Sequence, residues 1–448
     1  MPKLTKSKIK KSNLNTSVDD FLISQKTNIL SFERGQSSFH RPIEPIDLAR
    51  QLCKYPDFVF LDSSQTGQHF SILAHSPTKK ITGNLFEDQK LDTAVTSRQI
   101  ASPSPSSPFP NAAFIGTFDF DGSYHFGFYE KIFIFDHSKQ TWLSPPSKKD
   151  FPRPAPQKSS ESSEKFRLHL QPSISKNEYL KMIHRAKEYI AAGDIYQACL
   201  AYPHCGSFDG TPWDLYQSWR HHSPAPHAAF LDQDNRYVLS ASPECFFHLT
   251  GRKLYTRPIK GTRPRNPDSN EDRRLAYELQ SSAKENAELL MITDLERNDL
   301  GRICEFGSVK VQELIKLETF PHVFHLVSTI QGQLRSSISP TEAFRKCFPG
   351  GSISGAPKKR ALEIIKELEP SPRGLFTGAI GYFGTNGDAQ FNIAIRTLTL
   401  EKNSRQPLRA EYWTGAGIVA DSQAQDEWEE THHKASGLLS TLNHASVE

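Results

Sequence analysis

The sequence lacks the features of disulfide-rich, zinc-binding and membrane-spanning proteins. Its cysteines include no C-x-x-C pair, and their spacing suits neither a zinc site nor a disulfide framework, which indicates free thiols in a reducing compartment. No run reaches the ~18 apolar residues of a membrane span. The basic segment Met1–Ser12 is not followed by an apolar region or a cleavage site. We therefore expect a soluble, cytoplasmic protein.

The sequence also lacks a strong excess of charge of one sign. The net charge is +4 over 448 residues, and the basic residues are scattered rather than gathered in a stripe. Nucleic acid is therefore not an expected partner, whereas a small anionic substrate fits the composition.

The chain divides into four segments that differ in composition and in predicted secondary structure. Residues 1–20 are polar and predict a mobile tail, and residues 21–143 contain short strand-like runs. Residues 144–165 are rich in proline and serine and predict a surface linker, while residues 166–448 alternate helical and strand patterns. The mixture predicts an α+β fold with antiparallel strands. The helices are predicted at about 175–193, 272–300, 340–347, 357–368 and 424–442.

Two predicted helices carry pairs of glutamates at i, i+3 spacing, a spacing that places both side chains on one helix face. The pairs are Glu285 with Glu288, and Glu427 with Glu430. If the two helices face each other, the four carboxylates surround one space and suit Mg²⁺, which prefers oxygen ligands. Taken alone, such pairs also occur on solvated helix faces.

Three further segments contain candidate binding or catalytic residues. Lys260 ends an apolar strand and can act as a nucleophile if burial lowers its pKa, although a single lysine is more often a surface charge. The Gly-rich loop 348–358 precedes a helix and could hold an anion or form a tight turn. Arg396 lies within the alternating strand pattern 392–397, where it points to one face and suits a carboxylate ligand or a surface ion pair.

Together and in this order, the motifs resemble the chorismate-utilising enzymes, a family that includes anthranilate synthase, aminodeoxychorismate synthase, isochorismate synthase and salicylate synthase. The resemblance covers about Ser175 to Leu442. The motifs are Ser242-Pro243-Glu244, PIKGTRPR at 258–265, DLERNDLGR at 294–302, HLVSTI at 325–330, FPGGSISGAPK at 348–358, TGAIGYFG at 377–384, AIRT at 394–397 and GAGIVADS at 415–422.

The resemblance implies a fold of two large antiparallel sheets packed as a sandwich with peripheral helices, in which residues 21–143 are the N-terminal part and 166–448 the chorismate-binding catalytic region. It implies Glu288 and Glu430 as Mg²⁺ ligands, with Glu285 and Glu427 as additional ones. It also implies that Glu244 is the general acid for the ring C4 hydroxyl. The residues implied in substrate binding are Arg396, Tyr382, Thr262, His325, Gly415, Ala416, Gly417 and Lys434.

Two positions separate the branches of this family. The branches that use water carry a lysine where this chain has Gln197, and an amide cannot act as that base. The anthranilate synthases carry alanine where this chain has Lys260. A lysine there implies attack on ring C2, followed by addition of ammonia at C4, which gives 4-amino-4-deoxychorismate, the precursor of 4-aminobenzoate in folate biosynthesis. This route requires a neutral Lys260 and a protonated Glu244.

The ammonia source is expected to be a separate glutamine amidotransferase subunit, because none of the cysteines lies in the Gly-rich turn of a glutaminase nucleophile. Two alternatives stay open. One is an anthranilate synthase large subunit in which Lys260 is incidental. The other is an inactive scaffold, against which the presence of all the candidate catalytic and metal-binding residues argues.

Overall fold

The structure, a computed structural model, describes residues 43–63, 70–99, 110–144, 166–320, 322–402 and 407–445. The predicted tail, residues 1–20, lies outside the described residues, and so does all of the predicted linker 144–165 except Ser144.

The strands of the described residues are long in the C-terminal part and short in the N-terminal part. They are β1 Val59–Asp62, β2 Phe70–Ala74, β3 Lys79–Asn84, β4 Ala113–Phe118, β5 Ser123–Tyr129, β6 Phe133–Asp136, β7 Thr141–Ser144, β8 Arg167–Pro172, β9 Gln197–Asp209, β10 His227–Asp232, β11 Arg236–Ser242, β12 Cys245–Thr250, β13 Lys253–Arg257, β14 Ile259–Pro264, β15 Lys310–Thr319, β16 Val323–Gln333, β17 Gly355–Ala356, β18 Ala379–Gly384, β19 Ala389–Ile393, β20 Thr397–Glu401 and β21 Leu408–Ile418.

These strands form two large antiparallel sheets, as expected. The order in the first sheet is β17-β9-β21-β20-β11-β10-β1-β2-β6-β7, with β8 also paired to β9. The order in the second sheet is β14-β16-β13-β12-β19-β18-β4-β5-β3, with β15 also paired to β16. Apolar side chains from the two sheets, among them Ile72 and Ala229 of the first and Ile115 and Ile380 of the second, form one buried cluster. The sheets therefore pack face to face as a sandwich.

Strands that precede the linker belong to the same sheets as strands that follow it. In the first sheet β1 pairs with β10, and in the second β4 pairs with β18. Residues before and after the linker thus share one core, and the linker does not separate two independently packed sheets. The division of the chain into a sandwich part and a catalytic region stays a prediction.

The helices of the described residues are α1 Pro45–Leu52, α2 Lys90–Ser97, α3 Lys176–Ala191, α4 Pro212–His222, α5 Ser269–Ser281, α6 Ala283–Gly301, α7 Pro340–Cys347, α8 Lys358–Leu368 and α9 Ala424–Ala445. α1, α2 and α4 were not predicted from the sequence. A proline in the first turn of α1 and of α4, where its missing N–H is tolerated, is the signal that marks their starts. None of the described helices is long and apolar enough to cross a membrane.

The prediction of a single helix over about 272–300 is wrong, because the helix is interrupted at Ser282, between α5 and α6. This residue adopts an extended backbone conformation, and its hydroxyl accepts a hydrogen bond from the Glu285 N–H. Ser282 therefore caps α6. The break places Glu285 and Glu288 in the first two turns of α6, where the helix dipole favours negative charge.

Candidate active site

Lys260 lies on β14 at an irregularity in the pairing with β16. The register shifts between Lys260 and Thr262, and Gly261 between them has a φ of 70°, a conformation that favours glycine. A Cβ at Gly261 would also lie 2.7 Å from Leu279 Cδ1. The motif therefore needs glycine after the lysine, and the resulting bulge changes the direction of the Lys260 side chain.

The Lys260 ammonium lies inside the protein among polar groups from three elements. Its Nζ is 3.6 Å from Glu288 Oε2 on α6, and its side chain is only 15% exposed. A Cβ at Gly417 on β21 would lie 2.4 Å from Gln197 Nε2 and 3.4 Å from Lys260 Nζ. The missing side chain at Gly417 thus leaves room for the Gln197 amide and the Lys260 amine on the same side of β21.

The pKa of Lys260 is shifted upward, whereas the nucleophilic role was expected to come with a pKa lowered by burial. Burial lowers this pKa, but the negative charges of Glu288, Glu244 and Glu430 raise it, and the net direction is upward. In the protein without substrate, Lys260 is therefore an ammonium, and it must lose a proton before it can act as a nucleophile. Because Glu288 and Glu430 both act on this ammonium, the two predicted metal ligands lie on the same site.

Glu244 lies between β11 and β12 and is 5% exposed. Burial raises the pKa of its carboxyl to about 7, although the Ser352 hydroxyl, the Lys260 ammonium and the Ile259 backbone lower it. Its backbone N–H donates to the Ser242 hydroxyl, and its backbone C=O accepts from Ile393, which fixes its position. A substantial fraction of Glu244 is therefore protonated near neutral pH and can donate a proton.

The four predicted metal-binding carboxylates each lie near a positive side chain. Glu285 is 3.9 Å from Arg263, Glu288 is 3.6 Å from Lys260, Glu427 is 3.2 Å from Lys284, and Glu430 is 2.6 Å from Lys434. Across the described ranges, no group of three or more His, Cys, Asp or Glu side chains is arranged to hold a metal ion. The carboxylates are the donors that Mg²⁺ prefers, but in this arrangement they bind ammonium and guanidinium groups.

Arg396 provides a buried positive charge near His325. Burial lowers the pKa of its guanidinium, and no carboxylate of the described residues lies within 4.0 Å of it. His325, on β16, accepts or donates a hydrogen bond at 2.9 Å with the Thr262 hydroxyl. Burial, together with the positive charge of Arg396, lowers the pKa of His325 to about 4, so this imidazole is neutral. The arrangement suits an anion at Arg396.

Lys434 and the 415–417 segment lie on the side of the site formed by β21 and α9. Lys434 Nζ donates to the Gly415 carbonyl at 2.8 Å and contacts Glu430. Ala416 is 1% exposed and packs with Tyr179 on the opposite face of β21. Within this segment only the backbone of Ala416, not its side chain, can therefore contact a ligand in the site.

Tyr382 lies apart from these residues. It is on β18 and lines a cavity between the sheets together with Leu61, Asp62 and His227. None of the other predicted site residues lines that cavity within the described parts of the chain. The motif led to the prediction that Tyr382 binds a chorismate carboxylate, whereas alternation along β18 directs its side chain into the sandwich core.

A family model described as chorismate binding enzyme matches residues 57–440. The chain belongs to this family. Over 270 residues it is 41% identical to aminodeoxychorismate synthase component 1 of Bacillus subtilis (strain 168), which covers 60% of this chain and 56% of the relative. Over 276 residues it is 42% identical to anthranilate synthase component 1 of Streptomyces coelicolor, which covers 61% and 53%.

A solved structure of anthranilate synthase component I from Streptococcus pneumoniae is similar with a TM-score of 0.71 and 30% identity, and the match covers 83% of this chain and 92% of that one. The aligned region spans little more than half the length of the two curated relatives. Because those relatives have different reaction names at nearly the same identity, overall similarity does not distinguish the two reactions.

Three polar residues in or near this site were not singled out from the sequence. Lys284 donates a hydrogen bond to Glu427, and the Ser352 hydroxyl lowers the pKa of the Glu244 carboxyl. Glu296 is 5% exposed and accepts a hydrogen bond from Thr256 at 2.6 Å. All three lie in or beside glutamate or glycine motifs, but only the folded chain shows their burial and their partners.

Glu296→Gln is expected to change the pH dependence of stability. Burial raises the pKa of Glu296 to about 8, so the folded protein binds a proton that the unfolded chain releases above its ordinary pKa. The contribution of Glu296 to stability is present below about pH 4.5 and is lost as the pH rises toward 8. Relative to wild type, the variant should gain roughly 3 kcal/mol in unfolding free energy between about pH 5 and about pH 8. Urea denaturation at both pH values measures this gain, and a pH-independent difference would contradict it.

Proposed function

We propose that this chain aminates chorismate at ring C4 to give 4-amino-4-deoxychorismate, the precursor of 4-aminobenzoate in folate biosynthesis, and that it acts in the cytoplasm. The observation that carries the proposal is that Lys260, held inside the site, acts electrostatically on a buried carboxyl, Glu244, whose pKa burial raises to about 7. This pairing supplies a nucleophile and a proton donor for one displacement.

The proposed reaction has two displacements. Lys260 Nζ, once neutral, adds its electron pair to ring C2, the ring double bonds shift, and the C4–O bond breaks as Glu244 gives its proton to the departing oxygen, which leaves as water. Ammonia then adds at C4, the double bonds shift back, and the C2–N bond to Lys260 breaks. The proton that the new ammonium group loses restores Glu244, so atoms and charges balance, and the enolpyruvyl group is retained.

We propose Mg²⁺ as the cofactor, with Glu288 and Glu430 as its ligands and Glu285 and Glu427 as additional ones. Their carboxylate chemistry fits this ion, and the ion pairs that Glu288 and Glu430 make with lysine ammonium groups support a site that attracts cations. When bound, Mg²⁺ would neutralise charge on a substrate carboxylate and on the glutamates that favour the ammonium form of Lys260.

Chorismate has two carboxylates, and the site offers two places for them. Arg396, with no protein counterion among the described residues, would bind one. The backbone of Gly415, Ala416 and Gly417, with Lys434, would bind near the other, and Thr262 and His325 would line the ring. The proposal gives Tyr382 no role, because its side chain lines the separate cavity.

Ammonia is proposed to come from a separate glutamine amidotransferase subunit, since none of the six cysteines lies in the sequence context of a glutaminase nucleophile. Free ammonium should therefore support turnover by the purified chain, and glutamine alone should not.

A second candidate function is amination at C2, which gives anthranilate. The 42% identity with a Streptomyces coelicolor anthranilate synthase component 1 favours it. The Lys260 amine argues against it, because direct addition of ammonia at C2 needs no amine there.

Product identity tests the proposal. The purified chain is incubated with chorismate, Mg²⁺ and ammonium, and a lyase that releases 4-aminobenzoate is added. The expected product is 4-aminobenzoate in the lyase-treated sample and none without the lyase. Fluorescent anthranilate, formed without the lyase, would replace the first candidate by the second.

Arg396→Ala is expected to weaken chorismate binding by about 30- to 100-fold, since a charged hydrogen-bonded pair contributes about 2–3 kcal/mol. The same change removes a buried, uncompensated charge, so the free protein should be at least as thermally stable as wild type. Arg409→Ala, on an exposed part of β21, is the matched control. Binding by calorimetry and melting by circular dichroism measure both effects, and lower stability with unchanged affinity would make Arg396 structural.

A further inference from the structure

Lys284 has no role in the proposed amination, yet it connects the two helices that carry the candidate metal ligands. It lies in the first turn of α6, and its Nζ donates to Glu427 Oε1 on α9 at 3.2 Å. Glu427 is only 3% exposed at its side chain, whereas Lys284 is 48% exposed. The carboxylate is thus fixed in the protein interior, and the lysine reaches it from solvent.

Glu427 is fixed from a second direction as well. The Ser422 hydroxyl donates to the same Oε1 atom at 2.7 Å, and the Ser422 carbonyl accepts from Lys187 at 2.7 Å. Glu427 therefore stays in place when Lys284 leaves, because its other contacts come from its own helix start. A half-exposed lysine, in contrast, can move into water with little loss.

The four carboxylates of the site face four cations, Arg263, Lys260, Lys284 and Lys434. A divalent cation that enters this balanced set adds two uncompensated charges unless an ammonium leaves or a dianion enters with it. Lys260 and Lys434 lie against the proposed substrate position. Lys284 and Arg263 have no proposed contact with chorismate, and of these two Lys284 lies closer to its carboxylate, at 3.2 Å from Glu427 compared with 3.9 Å between Arg263 and Glu285.

We propose that the Lys284 ammonium is an internal competitor for the divalent cation, which it keeps out of the Glu427 side of the site until the metal displaces it. The inference rests on the proposed metal site. It explains why acidic residues with the right donor atoms form no metal-binding group among the described residues: their oxygen atoms are bound to side-chain cations instead.

Direct metal binding without chorismate tests this inference. Titration calorimetry with Mg²⁺, and Mn²⁺ titration followed by electron paramagnetic resonance, would compare wild type with Lys284→Gln. We expect the variant to bind each ion about three- to fivefold more tightly, the upper part of the range for removing a partly exposed ion-pair competitor. Lys284→Arg, which keeps the charge, should bind no more tightly than wild type.

Lys187→Gln is the matched control, because it removes a positive charge near Glu427 that hydrogen-bonds to the Ser422 carbonyl and makes no ion pair with Glu427 among the described residues. It should bind within about twofold of wild type, as expected for a charge without direct competition. Equal tightening in this control, or equal or weaker binding by Lys284→Gln, would overturn the inference. If neither protein binds either ion, the inference also fails, while the product assay still decides the amination independently.

Discussion

Lys260→Ala is expected to reduce C4 amination by at least about 10³-fold, because the variant has no amine to add to ring C2. Chorismate affinity should stay within about threefold of wild type, since Arg396 and the β21 backbone, which are proposed to bind the carboxylates, are unchanged. The rate of 4-aminobenzoate formation with excess ammonium and lyase measures the first quantity, and calorimetry the second. A large loss of rate with little loss of affinity identifies a residue that acts in the transition state.

Lys253→Ala provides the control for this substitution. Lys253 begins the neighbouring strand β13 and is exposed, so its loss tests the effect of removing a lysine from the same sheet. Its rate should equal that of wild type. Formation of anthranilate by Lys260→Ala would still agree with the account, because ammonia can then add at C2. Undiminished 4-aminobenzoate formation would refute the covalent route.

Glu244→Gln is expected to slow amination by about 10³-fold at about pH 6, since the amide cannot donate a proton to the departing hydroxyl. The carboxyl has a pKa of about 7, so wild type progressively loses the protonated form above that pH. The factor by which the variant is slower should therefore be constant below about pH 7 and shrink by up to about tenfold per pH unit above it.

This ratio of rates is informative because other titrating groups, Lys260 among them, affect both proteins and largely cancel. Rates at saturating chorismate and Mg²⁺ from about pH 6 to about pH 9 measure it. Unfolding cannot explain the slow rate, because the variant lacks a buried carboxyl that ionises near neutral pH and should be at least as stable at about pH 8. A ratio that stays constant or grows with pH would exclude Glu244 as the donor.

The two antiparallel sheets could be predicted from the sequence, whereas the facing of the two acidic helices was only a condition of the metal-site hypothesis. The i, i+3 glutamates lie where helical geometry places them, and the motif order was sufficient to suggest the family. Lys260 could be predicted as a site residue from its place in the PIKGTRPR motif, since a single lysine taken alone is more often a surface charge. Gly261 then proved to have a positive φ that redirects the chain there.

The rest depended on burial and on distant contacts. The helix break at Ser282 was missed because two adjacent serines can continue a helix or cap one, and the choice depends on packing around α6. The rise in the pKa of Lys260 was missed because burial alone predicts a lower pKa. The glutamates whose negative charges outweigh the effect of burial come from other segments of the chain. Tyr382 was assigned to the site from its motif, whereas its strand face determines which cavity it lines.

The covalent step itself can be observed by intact-protein mass spectrometry of the chain mixed with chorismate and Mg²⁺ in the absence of ammonia. The account predicts a protein heavier by chorismate less one water, with the added mass on the peptide that contains Lys260 and absent from Lys260→Ala. An unmodified Lys260 in a sample that forms 4-aminobenzoate at the full rate once ammonium and lyase are added would contradict it.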